Sequence, residues 1–572
     1  MITQKGIRPH TIHKKYVLGA HPIIQFFIEQ LKIPETIGSY IRQDERLKLP
    51  VEQTLTVLIH NILTSPMPMY EMADWLAPLD ESHVGLEPSQ ASLIHDDRLG
   101  QALDMFYSGR HKDVFFRLAL RAIQLFDLDC SQIHQDTTTV TFSGRYGVWR
   151  AQERLAYGPN KDHRPDLKQL VLGMSVTADG SVPLVHKIYD GNQTDDRLHP
   201  ENHQRLRQLL RRSDFIYVAD CKLATEENLR KIASCGGRFV TVMPRTWGQD
   251  KKFRRSVRQG SIKWRWLLSR KNNRKPDSKI DRYDLAPGTY HAKGYRLCWI
   301  KSTQKAEQDS EIRTRRINNA VDKLRAVQAR LNTYNLKTRR ALRQKIQDIF
   351  KENQCRPFID AEIHEERLYR RRYSKPGRPA ASDSPRRAWA PFFSILFSIN
   401  EKAVKKETLT DGVFPLITNL AKEVKPKRIL EIYKFQPFLE KRHSQLKTWQ
   451  EVTPVLLKKA ERVVALLHMH VMALMTATLI ERKLRLAMKK NSIGDIPLYP
   501  EGKPCPYPTM FDIARLFRGV EKYEVEQEGR VTLFPAQLTR LQKQVLRLLE
   551  VPDSFYLQAA HGLEKTAGLK AP

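Results

Sequence analysis

The sequence predicts an α/β protein: a mixed sheet interrupted by a mainly helical, basic insertion and flanked by helical regions at both ends. Three observations carry that expectation. Residues 126–245 alternate strand-like and helical runs, residues 246–408 lose that rhythm and gain positive charge, and the rhythm returns at 411–420, shortly before an amphipathic helix.

Residues 1–125 read as a domain of short helices. In VEQTLTVLIHNILTSP, Leu55, Leu58, Ile59 and Ile62 recur at helical spacing, the breaker SPMP follows, and YEMADWL gives a second short helix. Such a pair is either a helix-turn-helix that reads DNA or a plain helical hairpin, and the sequence leaves both open.

From 126 to 245, strand runs at 133–142, 169–177 and 182–189 are separated by the turn signals FSGRYG and ADGS, as in an antiparallel meander. A polar helix through HPENHQRLRQLLRR follows, then the strand DFIYVAD, the helix ATEENLRKIASC and the strand RFVTVMP. Three strands, helix, strand, helix, strand is the order of a ribonuclease H-like fold. Asp136 lies in its first strand and Asp220 ends its fourth, where sites in α/β sheets gather.

In the insertion, residues 245–275 carry twelve Lys or Arg against one acid, Asp250, with Trp247, Trp264 and Trp266 interleaved. Lys263, Trp264, Arg265 and Trp266 are expected to touch DNA, cations tracking phosphates and rings offering stacking surfaces. A solvated basic loop whose tryptophans plug a small core is the plain alternative. Ile317, Val321, Leu324, Val327 and Leu331, then Leu342, Ile346 and Ile349, give two helical stripes, read as a basic helical hairpin. RRRYSKPGRP, 370–379, reads as a basic linker that touches phosphates. Residues 409–480 resume the sheet domain, and 481–572 form a helical C-terminal region.

At 572 residues and 41% hydrophobic content the chain can bury several cores, and its formal charge of +34 calls for a polyanion, nucleic acid before membrane. Six scattered cysteines without a CxxC pair argue against a disulfide framework or a zinc site. The N-terminus lacks the apolar core of a signal peptide, so a cytoplasmic location is expected. The apolar run 463–480, VVALLHMHVMALMTATLI, reads as a buried core helix and not a membrane span. Its His468 and His470 stand two apart on different helix faces.

In YKFQPFLEKRHSQLK, Tyr433, Gln436, Glu440 and Lys447 are spaced by three, four and seven residues, which stacks them on one helical face. A solvated amphipathic helix has the same pattern. Together with Asp136 and Asp220, however, Glu440 completes three carboxylates from separate segments that can converge on metal.

These four residues match the Y-(2)-R-(3)-E-(6)-K signature except at Gln436, and the chain thereby resembles the DDE insertion-sequence transposases over most of residues 126–480. The resemblance implies a ribonuclease H-like catalytic core in two parts, 126–245 and 409–480, split by the insertion 246–408. Residues 1–125 would bind transposon ends. Asp136, Asp220 and Glu440 would be catalytic and hold two Mg²⁺ ions, with Mn²⁺ able to substitute and Asp136 bridging the pair. Tyr433, Gln436 and Lys447 would contact DNA. An amide at 436 has neither the charge nor the bidentate fork of arginine, so Lys441 or Arg442 is expected to compensate. The implied reaction is cleavage at transposon ends and strand transfer into target DNA. The implied partners are double-stranded DNA carrying terminal inverted repeats, target DNA and a second copy of the chain, with no membrane, at a prokaryotic nucleoid. The rival reading is a catalytically inactive, transposase-derived DNA-binding protein or repressor.

Overall fold

The computed structural model describes residues 11–42, 46–142, 151–158, 164–193, 197–271, 280–333, 336–372, 386–448, 450, 457, 459–527 and 530–557. The chain forms two compact units, Met1–Thr241 with Glu431–Pro572, and Val242–Leu430. It is a mixed α/β protein with many helices.

The first unit begins with strand β1 (Thr11–Val17) and helices α1 (His21–Leu31), α2 (Ile33–Tyr40), α3 (Val51–Thr64), α4 (Met72–Leu76), α5 (Asp96–Ser108) and α6 (His111–Leu125). Then come β2 (Gln132–Phe142), β3 (Lys168–Thr177), β4 (Pro183–Tyr189), α7 (His199–Leu210), β5 (Ile216–Val218), α8 (Glu226–Ser234) and β6 (Arg238–Val242). The sheet order is β4-β3-β2-β5-β6. The β2–β3–β4 meander is antiparallel, whereas β5 and β6 run parallel to β2 and to each other. Strand alternation and turn signals anticipate this stretch closely.

The second unit contains α9 (Gly248–Arg258), β7 (Arg265–Arg270), β8 (Asp281–Leu285), β9 (Tyr290–Ala292), β10 (Tyr295–Ser302), α10 (Thr303–Gln328) and α11 (Arg339–Asn353). It continues through β11 (Ile359–Arg372), β12 (Arg386–Ile399), α12 (Glu401–Thr408), β13 (Val413–Thr418) and α13 (Pro426–Tyr433), the last running into the first unit. β13-β10-β8-β7 form an antiparallel sheet, with β9 also on β10. This corrects the expectation of a mainly helical insertion over 246–408. RWLLSR and YRLCWIKS are strands whose charged positions mask their alternation, and the helical pair α10–α11 packs on a long hairpin, β11–β12. Arg370–Arg372 end a strand and not a linker; the remainder of that basic run lies outside the described residues. The strand at 413–418, expected in the catalytic domain, pairs with β10 inside this unit.

The first unit closes with α14 (Gln436–Thr448), α15 (Ala460–Lys490), α16 (Met510–Phe517), β14 (Glu521–Gln527), β15 (Arg530–Phe534), α17 (Arg540–Leu549) and α18 (Ser554–Leu557). α15 is long and apolar enough to cross a membrane, but 94% of its most apolar window is buried inside the protein. It touches α1, α3, α5, α17 and β4. The helical segments at the two ends of the chain therefore share one core, and β1 pairs with β14 in a three-stranded sheet.

That core takes in α3, the first helix of the candidate helix-turn-helix pair. α3 is buried at Val51 and at every position from Thr54 to Leu63, which leaves no face to lie in a groove. Its polar residues find partners inside: Thr54 donates to Pro50 O, Asn61 Nδ2 to Ser65 O, and His60 bonds Gln25 Oε1 at 3.1 Å and His21 Nδ1 at 3.2 Å. The apparent amphipathicity came from polar side chains that are satisfied within the core.

Burial keeps several histidines neutral. It lowers His21, His186 and His470 to about 3 and His203 to about 4, with His83 adding to the effect at His21, His111 and Arg205 at His186, and Arg207 at His203. An unfolded histidine titrates near 6.5, so between that value and the folded one the unfolded chain binds more protons and stability drops as the pH is lowered. Each such histidine contributes about 1.4 kcal/mol per pH unit across that window. Urea denaturation is expected to give a much lower midpoint near pH 5.5 than near pH 7.5; equal midpoints would contradict the buried neutral histidines.

Candidate active site

In β2 the period of two sets Gln132, His134 and Asp136 on one face. β5 runs parallel with Gln132↔Ile216, Ile133↔Tyr217 and His134↔Val218 in register. Two residues further along each strand, that register brings Asp136 beside Asp220, where β5 has ended and its partner continues. Neighbouring strands are about 4.8 Å apart, so the two carboxylates leave the sheet edge side by side. Asp220 Oδ1 accepts the Lys222 N–H at 2.9 Å, and Thr241 Oγ1 donates to Asp220 O at 2.6 Å, holding the loop against β6.

α14 covers this face. Gln436 is buried, its Nε2 donating to Gln135 O at 3.1 Å and its Oε1 meeting His134 Nδ1 at 3.0 Å. Gln132 Nε2 reaches His134 Nε2 at 2.7 Å and Ile432 O at 3.3 Å. An amide donating to Nε2 leaves the proton on Nδ1, which then donates to Gln436. Burial lowers His134 to about 4 against the opposing bond from Gln436, so the imidazole is neutral near pH 7.

One turn along α14, Glu440 is exposed, and His443 is buried with Nε2 at 3.8 Å from Asp136 Oδ2. His443 was not anticipated, although it stands three residues after Glu440 and seven after Gln436, on the same stripe. Tyr433 ends α13, and α14 begins at Gln436 with Pro437 in its first turn, so the stripe spans two helices and not one. Even so, Tyr433 lies within electrostatic reach of all three acids. Burial raises its phenol, and the charges of Asp220, Cys221, Glu440 and Asp136 raise it further. Its hydroxyl is therefore a hydrogen-bond donor throughout the physiological range.

Among the described residues, the one group of three or more His, Cys, Asp or Glu whose ligand atoms all lie within 4.8 Å of one another is His95, Asp96 and Asp97, exposed at the start of α5. Cys221, next to Asp220, has its thiol pushed up by desolvation and by that aspartate, which disfavours a thiolate nucleophile.

α14 is anchored from behind by a buried ion network. Arg442 Nη1 donates to Glu481 Oε2 at 2.7 Å and Nη2 to Gly180 O at 2.9 Å, while Arg485 Nη2 and Met510 N also reach Glu481, at 3.1 and 3.0 Å. Burial works to raise Glu481, but Arg442, Arg485 and these bonds outweigh it and hold its pKa below the ordinary carboxylate value. Arg442 is thus committed to the interior and does not stand in for the arginine missing at 436, and Gln436 itself is turned to β2 and not to a phosphate. Lys447, half-buried, is on the last turn of α14.

In the second unit, Trp266 is 63% exposed on β7, its Nε1 donating to Ser269 Oγ at 3.1 Å, and Lys263 and Arg265 are exposed beside it. Trp264 is half-buried, edge-on to Phe253 with centroids 6.2 Å apart and with Lys301 Nζ 6.0 Å from its ring. One tryptophan is thus available as a platform and the other serves a small core.

Comparison with known proteins adds little to this geometry. Residues 14–120 match a domain of unknown function, DUF4277. No curated protein matches the sequence. Among solved structures, the piggyBac transposase in a synaptic complex with hairpin DNA is similar at 9% identity over 87% of this chain and 79% of that one, with a TM-score of 0.33, too slight a likeness to bear on the site.

Two predictions follow from how α14 is held. Gln436→Ala strands a buried imidazole N–H and a backbone carbonyl, an expected loss of about 1–3 kcal/mol in chemical denaturation; an unchanged midpoint would mean that these bonds do not hold the helix. Glu481→Ala leaves two arginines facing an empty interior position and is expected to cost about 3–5 kcal/mol; a change below 1 kcal/mol would mean that the network does not anchor the helix.

Proposed function

We propose that this chain is a DDE-type DNA transposase, cutting DNA at transposon ends and transferring the freed strand into target DNA. What supports the reading is the register that brings Asp136 beside Asp220 on adjacent parallel strands, with Glu440 on the helix whose Gln436 is bonded to the same strand. The order β4-β3-β2-β5-β6 with helices after β4 and β5 is that of a ribonuclease H-like core, which supports it.

Three carboxylates offer the hard oxygen donors that Mg²⁺ prefers, and Mg²⁺ takes only one or two carboxylates per ion, keeping waters and phosphate oxygens for the rest. In this reading Asp136, Asp220 and Glu440 would hold two ions, and Mn²⁺ would substitute. Bound there, the cations supply activation of water or of a DNA 3′-hydroxyl and neutralise charge on the leaving oxygen.

The chain's own groups orient the DNA. Tyr433, held protonated among the acids, donates to a phosphate oxygen near the scissile bond, and Lys447 places a point charge on the same strand. His443 beside Asp136 steadies that carboxylate and is a candidate proton carrier. Lys263, Arg265 and Trp266 contact flanking DNA through charge and stacking, Trp264 chiefly by supporting them. The partners in this reading are double-stranded DNA and a second copy of the chain, since two ends must be joined, and the location is the nucleoid of a prokaryotic cytoplasm.

The test is Mg²⁺-dependent nicking and joining of labelled DNA carrying the element's own ends. Asp136→Asn, Asp220→Asn and Glu440→Gln are each expected to lower the rate by about a hundredfold or more with DNA binding retained. A wild-type chain that binds these ends and never cuts them with Mg²⁺ or Mn²⁺ would instead be a DNA-binding protein or repressor.

A further inference from the structure

The β11–β12 hairpin pairs without a break from Ile359↔Ile399 to Arg372↔Arg386. Its first half belongs to the second unit's core. Ile359, Phe393 and Ile395 are buried against α10 and α11, with Ala361, Ile363 and Phe397 packed beside them. Counting by two along each strand, that inward face continues past the helices to Arg367, Tyr369 and Trp389. There the partnering stops. Tyr369 and Trp389 sit directly across the ladder with ring centroids 3.8 Å apart and remain 60% and 59% exposed.

Charge divides at the same point. The half beside the helices holds Asp360, Glu362, Glu365 and Glu366, whereas 367–372 and 386–391 together hold six arginines and no acid. The register sets Arg371 opposite Arg387 and Arg372 opposite Arg386. Like charges directly opposite each other weaken a ladder, so two successive arginine pairs are tolerable where a polyanion supplies the counter-charge. A second copy's ribbon would bring the same arginines, so pairing of ribbon to ribbon is repelled unless a polyanion lies between.

We propose that the distal half of this ribbon is a DNA-reading arm that enters the major groove of a duplex. A two-stranded antiparallel ribbon is the width that groove admits, and six residues per strand span about 20 Å, enough to follow it across several base pairs. The arginine positions meet phosphates and guanine edges, and the Tyr369–Trp389 pair forms a stiff apolar wall for thymine methyl groups. The inference rests on the proposed DNA-cutting function only for its choice of DNA among polyanions.

The experiment uses the full chain with a short mixed-sequence DNA duplex and with DNA carrying the element's ends. The arginine variant R367Q/R371Q/R387Q is expected to bind about tenfold or more weakly, with the slope of log affinity against log salt reduced by about 2 to 3. Y369T/W389T keeps the slope and loses the preference that the wild type shows for thymine over uracil in the same duplex. Arg367, Tyr369 and Trp389 lie on exposed strand positions, and unchanged thermal melting confirms that both variants fold. Wild-type affinity, slope and thymine preference in both variants would overturn the arm, as would a change confined to oligomeric state, which reassigns the ribbon to self-association. The cutting function fails separately: there the wild type shows the ribbon-dependent binding and leaves the DNA uncut.

Discussion

Glu440 faces solvent, but the helix beneath it is held by polar bonds made in the interior, and the geometry of the whole site depends on them. On one side Gln436 is bonded to His134 and to the β2 backbone; on the other, Arg442 joins Glu481 on α15 and the carbonyl of Gly180. Such bonds add modestly to stability, yet their loss is costly because each leaves a buried group without water or partner. Directional bonds of this kind set the rotation of α14 about its axis, which apolar packing at Leu439 and Leu446 alone would leave loosely defined.

The sheet contributes the other half of the constraint. A parallel register between β2 and β5, with β5 stopping two residues short, turns a pairing rule into the juxtaposition of two acids. The third acid, Glu440, comes 220 residues after Asp220 in the chain. The same helix that carries it also brings His443 to Asp136, so one element provides both a carboxylate and a titratable neighbour.

Much of this was legible before any coordinates. β-branched alternation and turn signals located β2, β3 and β4, and the apolar run ahead of Asp220 located β5, because these strands lie in the interior and their composition is dictated by it. The spacing of Tyr433, Gln436, Glu440 and Lys447 located the site helix. What the spacing lacked was direction: Gln436 and Arg442 look like surface groups suited to phosphate until the partners His134 and Glu481, remote in sequence, turn them inward. α3 misled for the same reason, since threonine, histidine and asparagine in its sequence imitate a wet face while bonding within the core. In the second unit, strands such as β7 and β11 lie partly exposed and carry charge at many positions, which hides their period from sequence reading.

The placement of α15 has a consequence for how the protein is made. Helices α1, α3 and α5 bury their apolar faces against a segment that leaves the ribosome more than three hundred residues after them, and β1 finds its partner β14 later still. At ordinary translation speeds that interval is on the order of tens of seconds. During it the amino-terminal helices hold only each other, with the groove meant for α15 open to water. Nascent chains are therefore vulnerable to association through that groove, and a premature stop anywhere before α15 yields a product that chaperones and proteases will recognise as unfinished.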